Sequence, residues 1–102
     1  MSPTRKQIQS ALQTRQQFLE SLIRQKSKSL QNVPEGRLRG IAHGKGYQYF
    51  WQKKTSDRAG TYIKASEKEL AYRLGQKEYD RRILHSSEAE FRLIAKLLLI
   101  YT

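Results

Sequence analysis

Residues suited to acid–base, nucleophilic or metal chemistry are few and scattered in this sequence. The two histidines, His43 and His85, have no carboxylate or nucleophile at a recognisable catalytic spacing. There is no cysteine, which removes disulfides, thiolate zinc sites and cysteine nucleophiles together. Gly44-Lys45-Gly46 lacks the remaining positions of a phosphate-binding P-loop. We therefore expect no active site, no metal site and no cofactor, and predict that the chain is not an enzyme.

Basic and aromatic residues suited to nucleic acid, by contrast, are concentrated between residues 37 and 64. Arginine neutralises phosphates or pairs with guanine, and aromatic rings stack on unpaired bases. The net charge of +11, from 20 Lys and Arg against 9 Asp and Glu, indicates a polyanionic partner. The predicted nucleic-acid-binding residues are Arg37, Arg39, Lys45, Tyr47, Tyr49, Trp51, Lys53, Lys54 and Lys64.

These residues are expected on a β-hairpin from Arg37 to Lys54, because the glycines of His43-Gly44-Lys45-Gly46 suit a tight turn. A turn centred on Lys45 sets residue 37 opposite 53, 39 opposite 51 and 41 opposite 49. One face then carries Arg37, Arg39, Ile41, His43, Tyr47, Tyr49, Trp51 and Lys53. The other face carries Leu38, Gly40, Ala42, Gln48, Phe50 and Gln52. A basic aromatic face opposite a thin apolar one indicates a surface that binds nucleic acid.

A third strand is predicted over Gly60–Ala65, with Ile63 on the side of Leu38 and Phe50 and with Tyr62 and Lys64 on the basic side. Ser66 to Glu69 has the spacing of a capping box that starts the next helix. A second such box at Ser87 either interrupts that helix or lies within a continuous one. An alternative places Tyr49 and Trp51 in the core, with the N-terminal helix covering their face.

Two long helical segments flank the sheet. The first runs from residue 2 to about 31, with Ser2 as its cap, Pro3 in its first position and an apolar stripe that includes Leu19. A second apolar stripe, which includes Ile94, extends the C-terminal helix, and we expect this helix to pair antiparallel with the first. Pro34 ends the first helical region.

The expected fold class is α+β: an N-terminal helix (1–33), a small three-stranded antiparallel sheet (37–65) and a C-terminal helical segment (66–102). Residues 1–102 are expected to form a single domain, or the N-terminal part of a longer protein. The longest apolar run, Leu97–Tyr101, is too short to cross a bilayer, and no signal peptide is recognisable, so no membrane partner is expected. The absence of cysteine fits a reducing compartment, and we expect a cytoplasmic protein.

Two resemblances bear on these expectations. PEGRLR, QYFW and GTYIKASEKELAYRLGQKEYDRRIL resemble the N-terminal region of a group of uncharacterised bacterial proteins with the pattern LPEGxLR, GxYIPK and LAxxLAQKDYD. Lys64-Ala65 stands where that group tends to have Pro-Lys, and Gly75 where it tends to have Ala. Its members often continue into a nuclease-like domain, so the resemblance implies a targeting module for an enzyme.

The layout of RLRGIAHGKGYQYFWQKK and GTYIKASEKELAYRL is similar to the AP2-like N-terminal DNA-binding domain of tyrosine recombinases. In that family three strands are backed by a helix, and the sheet enters the major groove. The resemblance implies that Arg37, Arg39, Tyr49, Trp51 and Lys64 face DNA.

The sequence thus predicts a non-catalytic nucleic-acid-binding module, with double-stranded DNA favoured and RNA binding sharing the same features. The alternative is a protein-interaction or dimerisation module built on the two long helices. In that alternative the C-terminal apolar helix joins the chain to a second copy or to a partner domain.

Overall fold

The computed structural model describes residues 2–101. Along the chain, a long helix is followed by three strands and a second long helix. The elements are α1 (Arg5–Ser29), β1 (Arg37–His43), β2 (Gly46–Gln52), β3 (Thr61–Tyr62), a short 3-10 helix (Ala65–Glu67) and α2 (Lys68–Tyr101). The strands form one antiparallel sheet in the order β1-β2-β3, so the predicted α+β architecture is confirmed. None of the helices described is long and apolar enough to cross a membrane.

The chain divides into two compact units. A helical unit contains the chain up to Lys28 together with the chain from Arg81 onward, and a sheet unit contains Ser29–Asp80. Helix α2 contributes its first part to the sheet unit and its last part to the helical unit.

In the helical unit, α1 starts with a reciprocal cap between Thr4 and Gln7. The Gln7 amide donates to Thr4 Oγ1 at 3.2 Å, and the Thr4 amide donates to Gln7 Oε1 at 2.8 Å. This arrangement satisfies two backbone donors that the start of a helix leaves without partners. The predicted cap at Ser2 is therefore wrong, because Thr4 and Gln7 form a complete capping box closer to the first helical turn.

The two helices of this unit run antiparallel, as predicted. Arg15 on α1 forms a bidentate ion pair with Glu90 on α2, with N···O distances of 2.6 and 3.0 Å. Nearer the other end of the unit, Arg5 donates to the Ile100 carbonyl. Leu19 and Ile94 are the buried apolar side chains of this unit.

Helix α2 continues without interruption through Ser87, which is buried. Of the two possibilities for this segment, the continuous helix is the one observed.

In the sheet unit, the start of α2 covers one face of the sheet. Ile63, next to β3, and Leu74, on α2, are its buried apolar side chains. Leu38 on β1 lies so close to α2 that a Cβ at Gly75 would be 3.7 Å from its Cδ2. The side chains that share a face with Leu38 therefore point toward the helix.

The entry into α2 lies earlier than predicted. Lys64 is the cap residue, with an extended backbone, and its amide donates to Glu67 Oε1 at 3.2 Å. The predicted box from Ser66 to Glu69 is wrong, because Ala65–Glu67 already forms a 3-10 turn and Ser66 lies inside it.

Two cations of α2 hold the segment that connects α1 to the sheet. The Lys77 ammonium donates to the carbonyls of Pro34 and Gly36, each at 2.9 Å. The Arg73 guanidinium donates to the Asn32 carbonyl at 3.1 Å. Backbone oxygens of an irregular segment thereby gain partners that regular secondary structure does not supply.

Candidate nucleic-acid interface

The hairpin pairs one residue away from the predicted register. His43 lies opposite Gly46, so the loop is the two residues Gly44 and Lys45 rather than a turn centred on Lys45. Gly44 has φ +59° at the first loop position, where a type II′ hairpin turn requires glycine. The predicted register is therefore wrong.

This shift separates the arginines from the aromatic residues of β2. Leu38 lies opposite Trp51, and Arg39 lies opposite Phe50. Because cross-strand partners share a face, the tyrosines and Trp51 point to the same side as Leu38, toward α2. The predicted face that combined Arg37 and Arg39 with Tyr47, Tyr49 and Trp51 does not form.

The side of the sheet away from α2 carries what we call the arginine face. Its members are Arg37, Arg39, Ile41, His43, Gln48, Phe50, Gln52 and Tyr62. Phe50 and Tyr62 are cross-strand partners, and their rings meet edge to face with centroids 5.7 Å apart. Tyr62 lies on the basic side and Ile63 with Leu38, as predicted, but the predicted strand Gly60–Ala65 is too long, because β3 is only Thr61–Tyr62. Phe50 lies on the opposite side from its predicted position beside Leu38.

The two arginines are exposed and are also anchored. Arg39 Nη1 donates to the Arg58 carbonyl at 2.8 Å and, more weakly, to the Ala59 carbonyl at 3.4 Å, which ties β1 to the loop before β3. Arg37 reaches within 3.9 Å of the Glu78 carboxylate on α2. Both side chains keep donors that face solvent, since an arginine has five N–H groups.

The charge around this face is predominantly positive. Seven Lys and Arg residues lie in the segment from Arg37 to Lys64, against the single acid Asp57. The Asp57 carboxylate accepts a hydrogen bond from the Gly60 amide at 3.1 Å and shapes the loop that Arg39 contacts. The surface potential at the sheet is therefore expected to attract anions.

The predicted lysines surround the sheet rather than lying on one face. Lys45 is in the hairpin loop, Lys53 and Lys54 follow β2, and Lys64 follows β3. The Lys53 ammonium is 4.4 Å from the centroid of the Trp51 ring, a cation–π distance.

Trp51 is half-buried and has a structural partner. Its indole N–H donates to the Glu35 carbonyl at 2.8 Å, so the ring fixes the chain just before β1. This agrees with the alternative in which Trp51 belongs to the core. Within this unit, however, the element that covers the face of the sheet carrying Trp51 is the start of α2.

Tyr47 and Tyr49 point to the helix side but remain accessible, with 65% and 41% of their surface exposed. Their ring centroids are 6.4 Å apart with an angle of 30° between the planes. A Cβ at Gly40, the partner of Tyr49, would be 3.4 Å from the Tyr49 ring. The tyrosines thus lie over the backbone of β1.

The candidate interface also contains residues that are absent from the predicted binding set: Gln48, Phe50, Gln52, Arg58 and Tyr62. The signal that would have found most of them is loop length, because two-residue loops are the commonest hairpin connections. That loop puts Gln48, Phe50 and Gln52 beside the arginines.

His43 and His85 are exposed and lie in different units. Within residues 2–101, no three His, Cys, Asp or Glu side chains are grouped to hold a metal ion. Comparison of the chain with protein-family models, curated proteins and solved structures gives no match. The case for a function therefore rests on the geometry of the sheet.

Proposed function

We propose that this chain is a non-catalytic nucleic-acid-binding module that binds double-stranded DNA through the arginine face. The observation that carries the proposal is that Arg37 and Arg39 are exposed and share the side of the sheet opposite to Leu38, which packs against α2. The major groove of B-DNA admits a β-ribbon, and arginine pairs bidentately with guanine there.

The neighbours of the arginines on this face suit the same role. Gln48 and Gln52 have side chains that pair bidentately with adenine. Phe50 and Tyr62 offer apolar contact to thymine methyl groups. Lys45, Lys53, Lys54 and Arg58 surround the face and would contact phosphates.

The proposal includes a cytoplasmic location, where the chain would meet nucleic acid. The resemblance to the N-terminal regions that precede nuclease-like domains is compatible with a targeting role for this module.

The test is fluorescence anisotropy with labelled duplex DNA over a range of salt concentrations. Arg37→Gln with Arg39→Gln removes two charges but keeps side-chain donors for the carbonyls that Arg39 contacts. We expect affinity to fall at least tenfold, which is about 1.4 kcal/mol, and the salt slope to fall by about 0.9 for each phosphate that is no longer neutralised.

The matched control is Lys6→Gln with Lys96→Gln, which removes the same charge from the helical unit. If both double variants lose the same affinity, binding follows net charge alone and the proposed face is wrong. An RNA hairpin beside the duplex tests which nucleic acid is preferred.

A second candidate function, dimerisation or binding of a protein partner, is favoured by one observation on α2. Leu93, Leu97 and Ile100 are spaced along one side of the helix and are 57%, 36% and 63% exposed. Such an apolar stripe is typical of a surface that another chain covers. Gel filtration at low and high salt tests this candidate, because an apolar dimer survives high salt. The variant Leu93→Glu with Leu97→Glu is expected to dissociate such a dimer into monomers.

A further inference from the structure

The tyrosines that the register turns away from the arginine face line a groove of their own. It lies within the sheet unit and has a volume of about 450 Å³. Leu38 and Ile63 contribute apolar surface to it, and Tyr47, Tyr49 and Tyr72 contribute aromatic rings. Gln48 and Tyr62 of the arginine face also line it, so the groove adjoins that face.

The aromatic side chains of this groove are accessible rather than packed into a core. Tyr47 and Tyr72 are the most exposed of the three, at 65% and 67%. Among residues 2–101, the phenol groups of Tyr47, Tyr49 and Tyr72 make no hydrogen bond. The exposed parts of these rings and the free phenol groups are therefore accessible to a ligand.

The charged side chains that line the groove are lysines. Lys64 and Lys68 also line it, and neither ammonium group forms an ion pair with any described residue. Lys64 meets the neighbouring acid Glu67 through its backbone amide. Open aromatic rings beside unpaired cations match a ligand that alternates flat rings with negative charges, which describes single-stranded nucleic acid.

We propose that this groove binds an unpaired base of a single-stranded nucleic acid, with the flanking phosphates at Lys64 and Lys68. The base stacks against Tyr47 or Tyr72, and the apolar surface of Leu38 and Ile63 lies beneath it. The inference rests on the proposed function only for the class of partner, because neither Arg37 nor Arg39 lines the groove. A chain with both surfaces binds where duplex DNA meets an unpaired strand.

The experiment measures binding of a fluorescent oligothymidylate of about ten nucleotides, a length within the usual range for single-strand sites. Tyr47→Ala with Tyr72→Ala removes the exposed rings, and we expect the affinity to fall at least about fivefold, the equivalent of one missing stack. Tyr47→Phe with Tyr72→Phe keeps the rings and is expected to bind within about twofold of the parent. Thermal melting confirms that both variants fold.

Lys64→Gln with Lys68→Gln is expected to lower the salt slope by about 0.7 for each phosphate left without its lysine, the value for single strands. An abasic oligomer with the same backbone separates stacking from charge and is expected to bind at least about fivefold more weakly than oligothymidylate. Equal binding of the two oligomers, or unchanged binding by the Tyr-to-Ala variant, would overturn the proposal. Displacement of the oligomer by polyglutamate at equal charge would also overturn it, since the groove would then select charge alone.

The same titration distinguishes failure of this inference from failure of duplex binding. Arg37→Gln with Arg39→Gln is expected to leave oligothymidylate binding within about twofold of the parent while duplex binding falls. If duplex binding is absent and single-strand binding is intact, the proposed function is wrong and this inference stands. If duplex binding is intact and the Tyr-to-Ala substitutions leave single-strand binding unchanged, this inference is wrong and the proposed function stands.

Discussion

Leu38 on β1 is the cross-strand partner of Trp51 on β2. This pairing places Leu38 and Trp51 on the side of the sheet that α2 covers, where the Trp51 indole donates to the Glu35 carbonyl. By alternation, Arg37 and Arg39 must then project from the other side. A single pair thus determines which side chains share the arginine face and which lie on the side of α2.

The first prediction concerns base readout by the arginine face. Gln48→Ala with Gln52→Ala removes two amide groups that suit adenine, so we expect the variant to lose preference for A·T over G·C at one or two positions. Each missing bidentate pair corresponds to about 1–3 kcal/mol of discrimination. Selection from a randomised duplex library, with parent and variant in parallel, measures this change. An unchanged preference would show that these glutamines do not contact bases.

The second prediction concerns the close approach of the sheet to α2 at Gly75. A Cβ at this position would lie 3.7 Å from Leu38 Cδ2, an ordinary van der Waals distance. Gly75→Ala is therefore expected to raise the free energy of unfolding by about 0.5–1 kcal/mol, because alanine favours a helix interior. Thermal melting by circular dichroism measures the gain.

The matched variant Gly75→Leu carries a larger side chain into Leu38 and is expected to destabilise the fold by about 1–3 kcal/mol. If both substitutions lower the melting temperature, the space at Gly75 is smaller than the structure shows.

The third prediction concerns Lys77, whose ammonium holds the carbonyls of Pro34 and Gly36. Lys77→Met keeps most of the side-chain volume and removes both hydrogen bonds. We expect a loss of about 2 kcal/mol in urea unfolding, since hydrogen bonds to charged groups are among the stronger ones. Lys68→Met, at an exposed position of the same helix, is the control and is expected to change stability by less than about 0.5 kcal/mol.

The fourth prediction concerns the pH dependence of the Arg15–Glu90 pair. The hydrogen bond from Arg15 lowers the pKa of the Glu90 carboxyl, and the nearby positive charge adds to this effect. A carboxyl with a lowered pKa in the folded state contributes stability above its unfolded pKa of about 4.3 and loses it as the pH falls through the lowered value.

The Arg15 guanidinium has its pKa raised by the same hydrogen bond and stays charged throughout this range. Parent and Glu90→Gln are therefore expected to differ in unfolding free energy at neutral pH and to converge in acid. Urea unfolding at the two pH values measures the difference. A gap that is the same at both would mean that the carboxylate charge is not the source of the stability.

Most of the architecture followed from local sequence patterns. The apolar stripes around Leu19 and Ile94 predicted two helices that pair antiparallel, and the glycines near Lys45 predicted the hairpin. These features depend on periodicity and turn chemistry, which are local properties.

Which side chains share a face of the sheet could not be predicted from such local patterns. Two glycines flank Lys45, and a shift of the pairing by one residue exchanges the partners of a whole strand. The observed register sets Leu38 against Gly75, a contact between positions far apart in the sequence. A turn centred on Lys45 places Arg37 and Tyr49 on one face, whereas the two-residue loop that forms separates them.

The central claim is that duplex DNA binds the arginine face. The most direct measurement is an NMR titration of the labelled protein with a short DNA duplex, following backbone amides and arginine side chains. We expect the largest shifts at Arg37, Arg39 and Tyr62, with much smaller ones at Leu93 and Leu97 on α2. Shifts confined to α2, or no shift at low salt, would contradict it.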